Sequence, residues 1–163
     1  MPSGEGSGAG RSAGGAHGVT MVLLDADTVA GWRRAKPSLD QLRLATTHLR
    51  EQHPEVKVAV VADPAIKWAL DASEHDAFEE AIVGRAVVCA PAGTIDGTDG
   101  WVNAILERAR GNGETVVMVT DRAIGGVPVA RLGHSGGRFN FDLAGAQKVS
   151  GDRAAPQWRR RRR

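Results

Sequence analysis

The sequence predicts an α/β domain in which helices cover both faces of a mostly parallel β-sheet, giving three α/β/α layers. Three observations lead to this prediction. The chain of 163 residues has the length of one domain with a single core. Short runs of consecutive apolar residues recur along it, as is typical of strands that are buried on both faces. Segments with the apolar spacing of helices lie between those runs.

The first half of the chain contains two strand–helix units. Residues 19–24 form an apolar run that predicts the first strand. Ser38 is expected to cap a helix that Pro54 ends, because serine is a favoured N-cap residue and proline stops helices. A second strand is predicted over residues 56–62 and a second helix over residues 73–83.

The second half of the chain continues this alternation. A third strand is predicted over residues 86–90, a helix over 98–110 and a fourth strand over 115–120. Weaker strand patterns follow at 127–132 and 138–141. Because parallel strands need long crossover connections, the intervening helices favour a mostly parallel sheet.

Composition separates the two termini from the domain. Residues 1–18 are rich in Gly and Ser and bury too little apolar surface to become ordered, so they predict a disordered leader. Residues 19–147 are expected to form the domain, and residues 148–163 a disordered basic tail. The formal net charge is +2, and removing the five arginines at 159–163 leaves −3 for the rest of the chain. The basic balance therefore describes the tail more than the domain.

The single cysteine and the hydropathy of the chain indicate the compartment in which the protein is expected. Cys89 is the only cysteine, which excludes an internal disulfide and suits a reducing cytoplasm. No apolar run reaches the ~20 residues of a membrane span, and the N-terminus lacks the apolar core of a secretory signal. No glycine-rich phosphate loop follows a predicted strand, so no nucleotide cofactor is expected. We therefore expect a cytoplasmic protein without a membrane partner.

Aspartates stand where an α/β domain is expected to carry its chemistry. Asp25 and Asp27 follow the first strand, Asp121 follows the fourth, and Asp96 and Asp99 open the helix that leads into the fourth strand. Ligands of open parallel sheets bind beyond the carboxyl ends of the strands. Carboxylates gathered there repel one another unless a cation lies among them, and oxygen ligands favour Mg²⁺ or Mn²⁺ over zinc. Such an ion polarises a phosphate and generates a hydroxide for in-line attack.

Each aspartate also has a structural interpretation. Asp27 would cap a short helix, and Asp96 and Asp99 have the spacing of an N-cap residue and its N3 partner. Asp121 would cap a turn, as would Asp63, which precedes a proline. Taken singly these carboxylates are compatible with structural roles, whereas their arrangement at one edge favours a functional site.

The order of these motifs resembles the PIN-like superfamily and, within it, the NYN ribonucleases. The resemblance covers about residues 19–132. It is carried by three segments: VLLDADTV, IDGTDGWVNAILERA and VVMVTDRAI. Asp25 matches the first metal-binding aspartate of the family, Asp99 with Asp96 beside it matches the aspartate at the start of the central helix, and Asp121 matches the last.

The chain departs from the family pattern at several positions. Asp27 and Thr28 stand where the NYN pattern favours asparagine, and Thr120 replaces the asparagine of the closing motif. The acids at the start of the central helix are spread as Asp96 and Asp99 instead of being adjacent.

The resemblance implies hydrolysis of RNA phosphodiester bonds with Mg²⁺ or Mn²⁺ by a PIN-like fold. It implies that Asp25, Asp99 and Asp121 hold the metal and that Asp96 holds metal or orients the attacking water. Thr120 would hydrogen-bond a carboxylate or the phosphate. The RNA is expected to be either single-stranded or structured.

Basic residues beside these motifs are candidate nucleic-acid contacts. Arg33 and Arg34 come soon after the first strand, and Arg122 directly follows the last aspartate, Asp121. Arginines hold phosphates through charge-assisted hydrogen bonds. The alternative for Trp32-Arg33-Arg34 is a helix end that packs its tryptophan on the core.

Three alternatives to a housekeeping nuclease remain open. In a haloacid-dehalogenase-like phosphatase, whose first motif VLLDADTV also fits, Asp25 would be the nucleophile, Asp27 the acid/base and Val29 the third motif position. A PIN-like module that binds RNA or protein without cutting is the second. The third is the toxin of a toxin–antitoxin pair, which would have an antitoxin partner. A homodimer is compatible with each.

Overall fold

A computed structural model describes residues 18–94 and 96–148, except for the side chain of Lys148. The strands are β1 Met21–Asp25, β2 Lys57–Ala62, β3 Val88–Cys89, β4 Val116–Val119, β5 Pro128–Ser135 and β6 Arg138–Lys148. The α-helices are α1 Ala26–Ala30, α2 Leu39–Gln52, α3 Ile66–Ala69, α4 His75–Val83 and α5 Gly97–Gly111. Apart from Gly18 and Lys148, the predicted leader and tail lie outside the described residues.

The six strands form one sheet in the order β3-β2-β1-β4-β5-β6. Strands β1 to β5 are parallel to their neighbours, and only β6 runs antiparallel, against β5. The chain first builds outward from β1 through β2 to β3, and α5 then carries it back to β4 on the other side of β1. The direction of winding therefore changes between β1 and β4, which opens a crevice at the carboxyl ends of these two strands.

Apolar side chains pack on both faces of the sheet. On one face, Leu42 and Leu49 of α2 and Phe78 of α4 join a buried cluster with alternate strand residues such as Val22. On the other face, residues of α5 such as Leu106 cover a second cluster, which includes Leu23 of β1 and Met118 of β4. Successive strand residues point to opposite faces, so the continuous apolar runs of the sequence serve both clusters. The domain is α/β with a mostly parallel sheet, as the sequence predicted.

The helix predicted after Ser38 is confirmed at both ends. The Ser38 hydroxyl oxygen accepts a hydrogen bond of 3.1 Å from the Gln41 backbone N–H, which satisfies one of the free donors of the first turn of α2. The helix ends at Gln52, two residues before Pro54. In the described part of the chain, no helix is long and apolar enough to cross a membrane.

Strand β3 is shorter than the predicted span 86–90. The backbone N–H groups of Ala86 and Val87 both donate to the Ala81 carbonyl, so these two residues close the end of α4 instead of joining the sheet. Arg85 has a positive φ of 62°, which turns the chain at this point. Only Val88–Cys89 remains available to pair with β2.

Strands β5 and β6 are longer than the predicted spans 127–132 and 138–141, and they form a hairpin. The turn between them consists of Gly136 and Gly137, with φ of 60° and 77°. Two consecutive positive φ angles are the geometry of a tight turn that matches the twist of the strands, and glycine adopts them without strain. The polar residues of this hairpin weakened its strand pattern in the sequence.

Candidate active site

Buried polar side chains concentrate at the carboxyl ends of β1 and β4. The two strands are paired with Leu24 opposite Val119, so Asp25 and Thr120 stand side by side in the next position. Four of the six buried polar or charged residues in the described part of the chain lie at this edge, namely Asp25, Asp27, Thr28 and Thr120. The switch-point crevice therefore contains most of the polar groups that the domain buries.

Asp25 forms the floor of the crevice, with only 1% of its surface exposed. Its Oδ2 accepts hydrogen bonds from the hydroxyls of Thr120 at 2.7 Å and Thr28 at 3.0 Å, and from Nη2 of Arg122 at 3.2 Å. Its Oδ1 accepts from the Asp27 backbone N–H at 3.2 Å. These donors from two segments compensate for the removal of the carboxylate from water.

Asp25 is also the N-cap of α1, which corrects one of the predicted structural roles. The sequence suggested Asp27 as the cap of a short helix, but α1 already begins at Ala26 and Asp27 lies inside it, 0% exposed. The strand ends directly in the helix, so the cap position falls on the last strand residue. Asp25 accepts the N–H of Asp27 as an N-cap side chain does.

Thr28 connects the aspartates of β1 and β4. Its hydroxyl oxygen lies 3.0 Å from Oδ2 of Asp25 and 3.1 Å from Oδ1 of Asp121, and it accepts the Asp121 backbone N–H at 3.2 Å. A hydroxyl carries one proton, so Thr28 donates to one of the two carboxylates at a time. The sequence assigned no role to Thr28. The available signal was its position three residues after the N-cap, where a side chain faces the cap residue.

Arg122 places a positive charge between two predicted site residues. Its Nη2 contacts Asp25, its Nη1 donates to Oδ1 of Asp99, and its backbone N–H donates to the Thr120 hydroxyl oxygen at 3.2 Å. The Arg122 side chain is 17% exposed, whereas Asp99 is 52% exposed at the rim. Burial acts to lower the pKa of Arg122, but the negative charges of Asp25, Asp99 and Asp27 outweigh it and raise that pKa. The arginine is therefore firmly protonated here.

The negative charge of this edge extends toward β3. Burial, as the largest cause, and the nearby charges of Asp63 and Asp27 together raise the pKa of the Cys89 thiol to about 11. A thiolate is disfavoured both by the loss of water and by adjacent carboxylates. Cys89, which is partly buried, therefore carries a thiol that ionises poorly near neutral pH.

Asp63 has a second role that the sequence did not indicate. Its Oδ1 accepts the Ala65 backbone N–H at 2.7 Å, which confirms the predicted turn cap. Its Oδ2 accepts the hydroxyl of Thr98 at 2.8 Å. Asp63 thereby links the end of β2 to the first turn of α5, which also contains Asp99. A contact across 35 residues leaves no local signal in the sequence.

Asp96 does not join the other aspartates. It occupies the N-cap position of α5 with a left-handed φ of 65°, and its side chain makes no capping hydrogen bond. Its side chain is exposed, and no hydrogen bond or ion pair links it to the residues that the structure describes. Of the four predicted catalytic aspartates, the structure therefore brings Asp25, Asp99 and Asp121 to one crevice and leaves Asp96 outside it.

The predicted nucleic-acid contacts divide into two groups. Thr120 and Arg122 are inside the crevice, bound to Asp25. Arg33 and Arg34 lie in the exposed loop after α1, where the guanidinium of Arg33 stacks 4.2 Å above the Trp32 ring. Trp32 itself packs edge-on against Phe139, with 5.8 Å between ring centroids. The core-packing alternative for Trp32 is thus confirmed, and both arginines remain on the surface.

Comparison of the chain with protein-family models, with curated proteins and with solved structures finds no match. Its fold defines the class to which it belongs: an α/β domain with a six-stranded, mostly parallel sheet. At the switch point of this sheet the chain carries a buried aspartate, Asp25, bound by two threonines and an arginine.

Proposed function

We propose that this domain is a PIN-like, NYN-type ribonuclease that hydrolyses RNA phosphodiester bonds with the help of Mg²⁺ or Mn²⁺. One observation carries the proposal. Asp25, Asp99 and Asp121 come from three segments that are far apart in the sequence, and they meet at one crevice through Thr28 and Arg122. The crevice lies at the switch point, where open α/β sheets bind their ligands.

The three proposed metal ligands differ in depth, from the floor of the crevice to its rim. Asp25 is buried at the floor, Asp121 is partly buried, and Asp99 is half-exposed at the rim. A phosphate that enters from solvent would meet the rim carboxylate and Arg122 before it reached the floor. Carboxylates that become more exposed from floor to rim are compatible with a crevice that is open to the backbone of a polymer such as RNA.

The chemistry of the donor set fits a hard divalent cation. The side chains around the crevice offer carboxylate and hydroxyl oxygens, which Mg²⁺ and Mn²⁺ prefer. In the arrangement described for residues 18–94 and 96–148, no three His, Cys, Asp or Glu side chains are grouped closely enough to hold a metal. Asp25, Asp99 and Asp121 would hold the ion, and two of them instead contact Arg122. When bound, the ion would polarise the phosphate and supply a hydroxide.

The remaining residues of the crevice would orient these groups. Thr28 and Thr120 fix the direction of the Asp25 carboxylate through short hydrogen bonds. Such second-layer contacts hold a ligand in place and keep its free lone pairs pointed at the reacting group. Arg122 would stabilise negative charge on the phosphate, and Arg33 and Arg34 would attract the RNA backbone.

A non-catalytic PIN-like RNA-binding module is a second candidate. It is favoured by the ion pairs of Arg122 with Asp25 and Asp99, which neutralise two of the three carboxylates without a metal. The phosphatase alternative would use Asp25 as nucleophile and Asp27 as acid/base, and both residues are buried, 1% and 0% exposed.

The experiment is a cleavage assay with single-stranded RNA and Mn²⁺. We expect Asp25→Asn and Asp121→Asn to lower the cleavage rate by more than about 100-fold, because even outer partners of metal ligands contribute up to that factor. EDTA should abolish cleavage. Glu107→Gln, an exposed carboxylate on α5, is the matched control and should keep full activity. A folded protein that binds this RNA but never cuts it would instead favour the non-catalytic module.

A further inference from the structure

A cavity of about 300 Å³ lies between α2 and α4, on the face of the sheet that these two helices cover. Buried apolar side chains form its floor, namely Leu39, Leu42, Val60 and Val87. Thr46 of α2 and Ala81 of α4 also line it, and their side chains are too small to fill the space between the two helices. The volume is at the lower end of the range of ~300–1,000 Å³ that is typical of pockets for small molecules. The cavity is therefore large enough for a small ligand.

Two arginines of α2 stand at the opening of this cavity. Arg43 and Arg50 both line it and are exposed to solvent. They are about two helical turns apart, so both lie on the same side of α2, about 10 Å from each other along its axis. The exposed Thr47 lies between them on that side. The opening of an apolar cavity thus carries two positive charges.

Neither positive charge is neutralised within the described part of the chain. Among residues 18–94 and 96–148, Arg43 and Arg50 form no ion pair and no side-chain hydrogen bond, and no Asp or Glu lines the cavity. Other arginines of the domain do have acidic partners. Arg138, for example, pairs with Glu51, the neighbour of Arg50 in the sequence. Guanidinium groups without acidic partners beside an apolar surface favour the binding of an anion there.

These two features together define the chemistry of a ligand. An apolar chain would displace water from the floor of the cavity, and an anionic head would accept charge-assisted hydrogen bonds from the arginines. A cation would be repelled by both guanidinium groups, and a neutral molecule would use only the floor. A protein partner is a poorer match, because stable protein interfaces bury about 1,200 Å² or more, whereas this cavity has the size of a small-molecule site.

We propose that the cavity between α2 and α4 binds a small amphiphile with an apolar chain and an anionic head, either an aliphatic carboxylate or an alkyl phosphate. The chain packs against Leu42, Val60 and Val87, and the head pairs with Arg43 and Arg50. The cavity is separate from the crevice at the carboxyl ends of β1 and β4, because none of its lining residues is hydrogen-bonded to Asp25 or Asp121. The inference therefore goes beyond the proposed ribonuclease and does not depend on it.

The test is calorimetric titration of the full chain with decanoate, decyl phosphate, decanol and decylammonium, each below the concentration at which it forms micelles. These probes share one apolar chain and differ in the head group. We expect decanoate or decyl phosphate to bind, and the tighter of the two identifies the preferred head. Decanol should bind at least about tenfold more weakly, because a hydrogen bond to a charged group contributes a factor of this size. Decylammonium should not bind, because both arginines repel it.

Variants of the lining residues test the two parts of the site separately. The double variant Arg43→Ala/Arg50→Ala should bind the anionic probe at least about tenfold more weakly than the wild-type protein. Arg108→Ala removes an exposed arginine of α5 and is the matched control, which should bind like the wild type. Ala81→Leu places a larger side chain in the cavity and should abolish binding. If Ala81→Leu does not fold, Ala86→Leu, at an exposed lining position, carries the same comparison.

A second readout does not depend on binding heats. A ligand that binds the folded state raises the unfolding temperature, so the anionic probe should raise that of the wild-type protein and of Arg108→Ala but not that of the cavity-filling variant. If the folded wild-type protein binds neither decanoate nor decyl phosphate, the cavity holds only water and the inference is wrong. Equal affinities for decanol and decanoate, or an unchanged affinity of the double arginine variant, would equally overturn it.

Discussion

The two ends of β1 and β4 belong to the same pair of strands but differ sharply in chemistry. At the amino ends, the backbone N–H of Thr115 donates to the Thr20 hydroxyl oxygen at 2.8 Å, and Lys57 pairs with Glu114 at 3.1 Å. Thr20 and Thr115 are exposed, and the Lys57 side chain is 73% exposed. At the carboxyl ends, Asp25 and its partners Thr28 and Thr120 are buried.

This difference cannot be a requirement of the sheet. The pairing of β1 with β4 runs without interruption from Met21 opposite Val116 to Leu24 opposite Val119, so both ends have the same backbone geometry. At the amino ends the polar groups are mostly exposed, and the Glu114 side chain, 15% exposed, is paired with an exposed lysine. Burying a carboxylate is unfavourable unless it is fully paired, and buried, partnered acids in a crevice are candidates for function. The difference between the amino and carboxyl ends of β1 and β4 thus points to the carboxyl ends as the candidate site, independently of any sequence motif.

The largest effect is expected from removing the acceptor at the floor of the crevice. Asp25→Ala leaves two threonine hydroxyls and the Arg122 charge without their shared partner. Removing one member of a buried ion pair costs about 3–5 kcal/mol. We expect a loss of that size in the free energy of unfolding, measured by urea denaturation. If Asp25→Ala lost less than about 1 kcal/mol of unfolding free energy, the contacts of Asp25 would contribute no more to stability than the ion pair at the amino edge.

The next largest effect concerns the reactivity of Cys89. A thiol pKa of about 11, compared with 9.0 for an unperturbed thiol, means about 100-fold less thiolate at pH 8. Alkylation by iodoacetamide should be correspondingly slow in the folded protein and should accelerate as the pH rises toward 11. Because the charge of Asp63 raises this pKa, Asp63→Asn should lower it and speed the reaction at pH 8. Equal rates in folded and urea-unfolded protein would contradict this.

A smaller effect is expected when the shared hydroxyl is removed. Thr28→Val keeps the shape of the side chain but deletes the donor that lies between Asp25 and Asp121. A buried group that loses its hydrogen-bond partner costs about 1–3 kcal/mol. Chemical denaturation should report a loss in this range, while Thr47→Val, at an exposed position of α2, should stay within about 0.5 kcal/mol of the wild-type protein. Equal stability of the two variants would mean that the hydrogen bonds of the Thr28 hydroxyl to Asp25 and Asp121 do not contribute to the free energy of unfolding.

The smallest effect is expected at the amino edge. Lys57→Met breaks the ion pair with Glu114, which is largely exposed on its lysine side. Surface ion pairs contribute about 0–1 kcal/mol. Thermal unfolding should therefore differ little from that of the wild-type protein, and RNA cleavage should be unchanged. A loss comparable to that of Asp25→Ala would remove the contrast between the two edges.

The sequence was sufficient to predict the layers of the fold but not all of its boundaries. Apolar runs identified β1, β2 and β4 because these strands are central and buried on both faces. The edge strand β3 was predicted too long, since hydrogen bonds to the end of α4 take up Ala86 and Val87. Such contacts are tertiary, and local apolar character does not reveal them. The hairpin of β5 and β6 was underestimated because its outer positions are polar.

The candidate site was predicted in part. Asp25 and Asp121 could be found because each directly follows a central strand, and parallel strands bring such positions to one edge. The roles of Thr28, Asp63 and Arg122 could not be predicted in the same way, because each depends on a contact between segments far apart in the chain. Asp96 was included because it lies at the start of the helix that leads into the fourth strand, beside Asp99, but in the structure its side chain is exposed and makes no capping hydrogen bond.

The central claim is most directly tested by the rate of RNA cleavage in Mn²⁺ for one matched pair of variants at the two edges. Asp121→Asn and Glu114→Gln each remove one negative charge at an end of β4. We predict that Asp121→Asn loses cleavage by more than about 100-fold and that Glu114→Gln retains it. Cleavage that is equally lost in both variants, or equally kept, would contradict a catalytic site at the carboxyl edge.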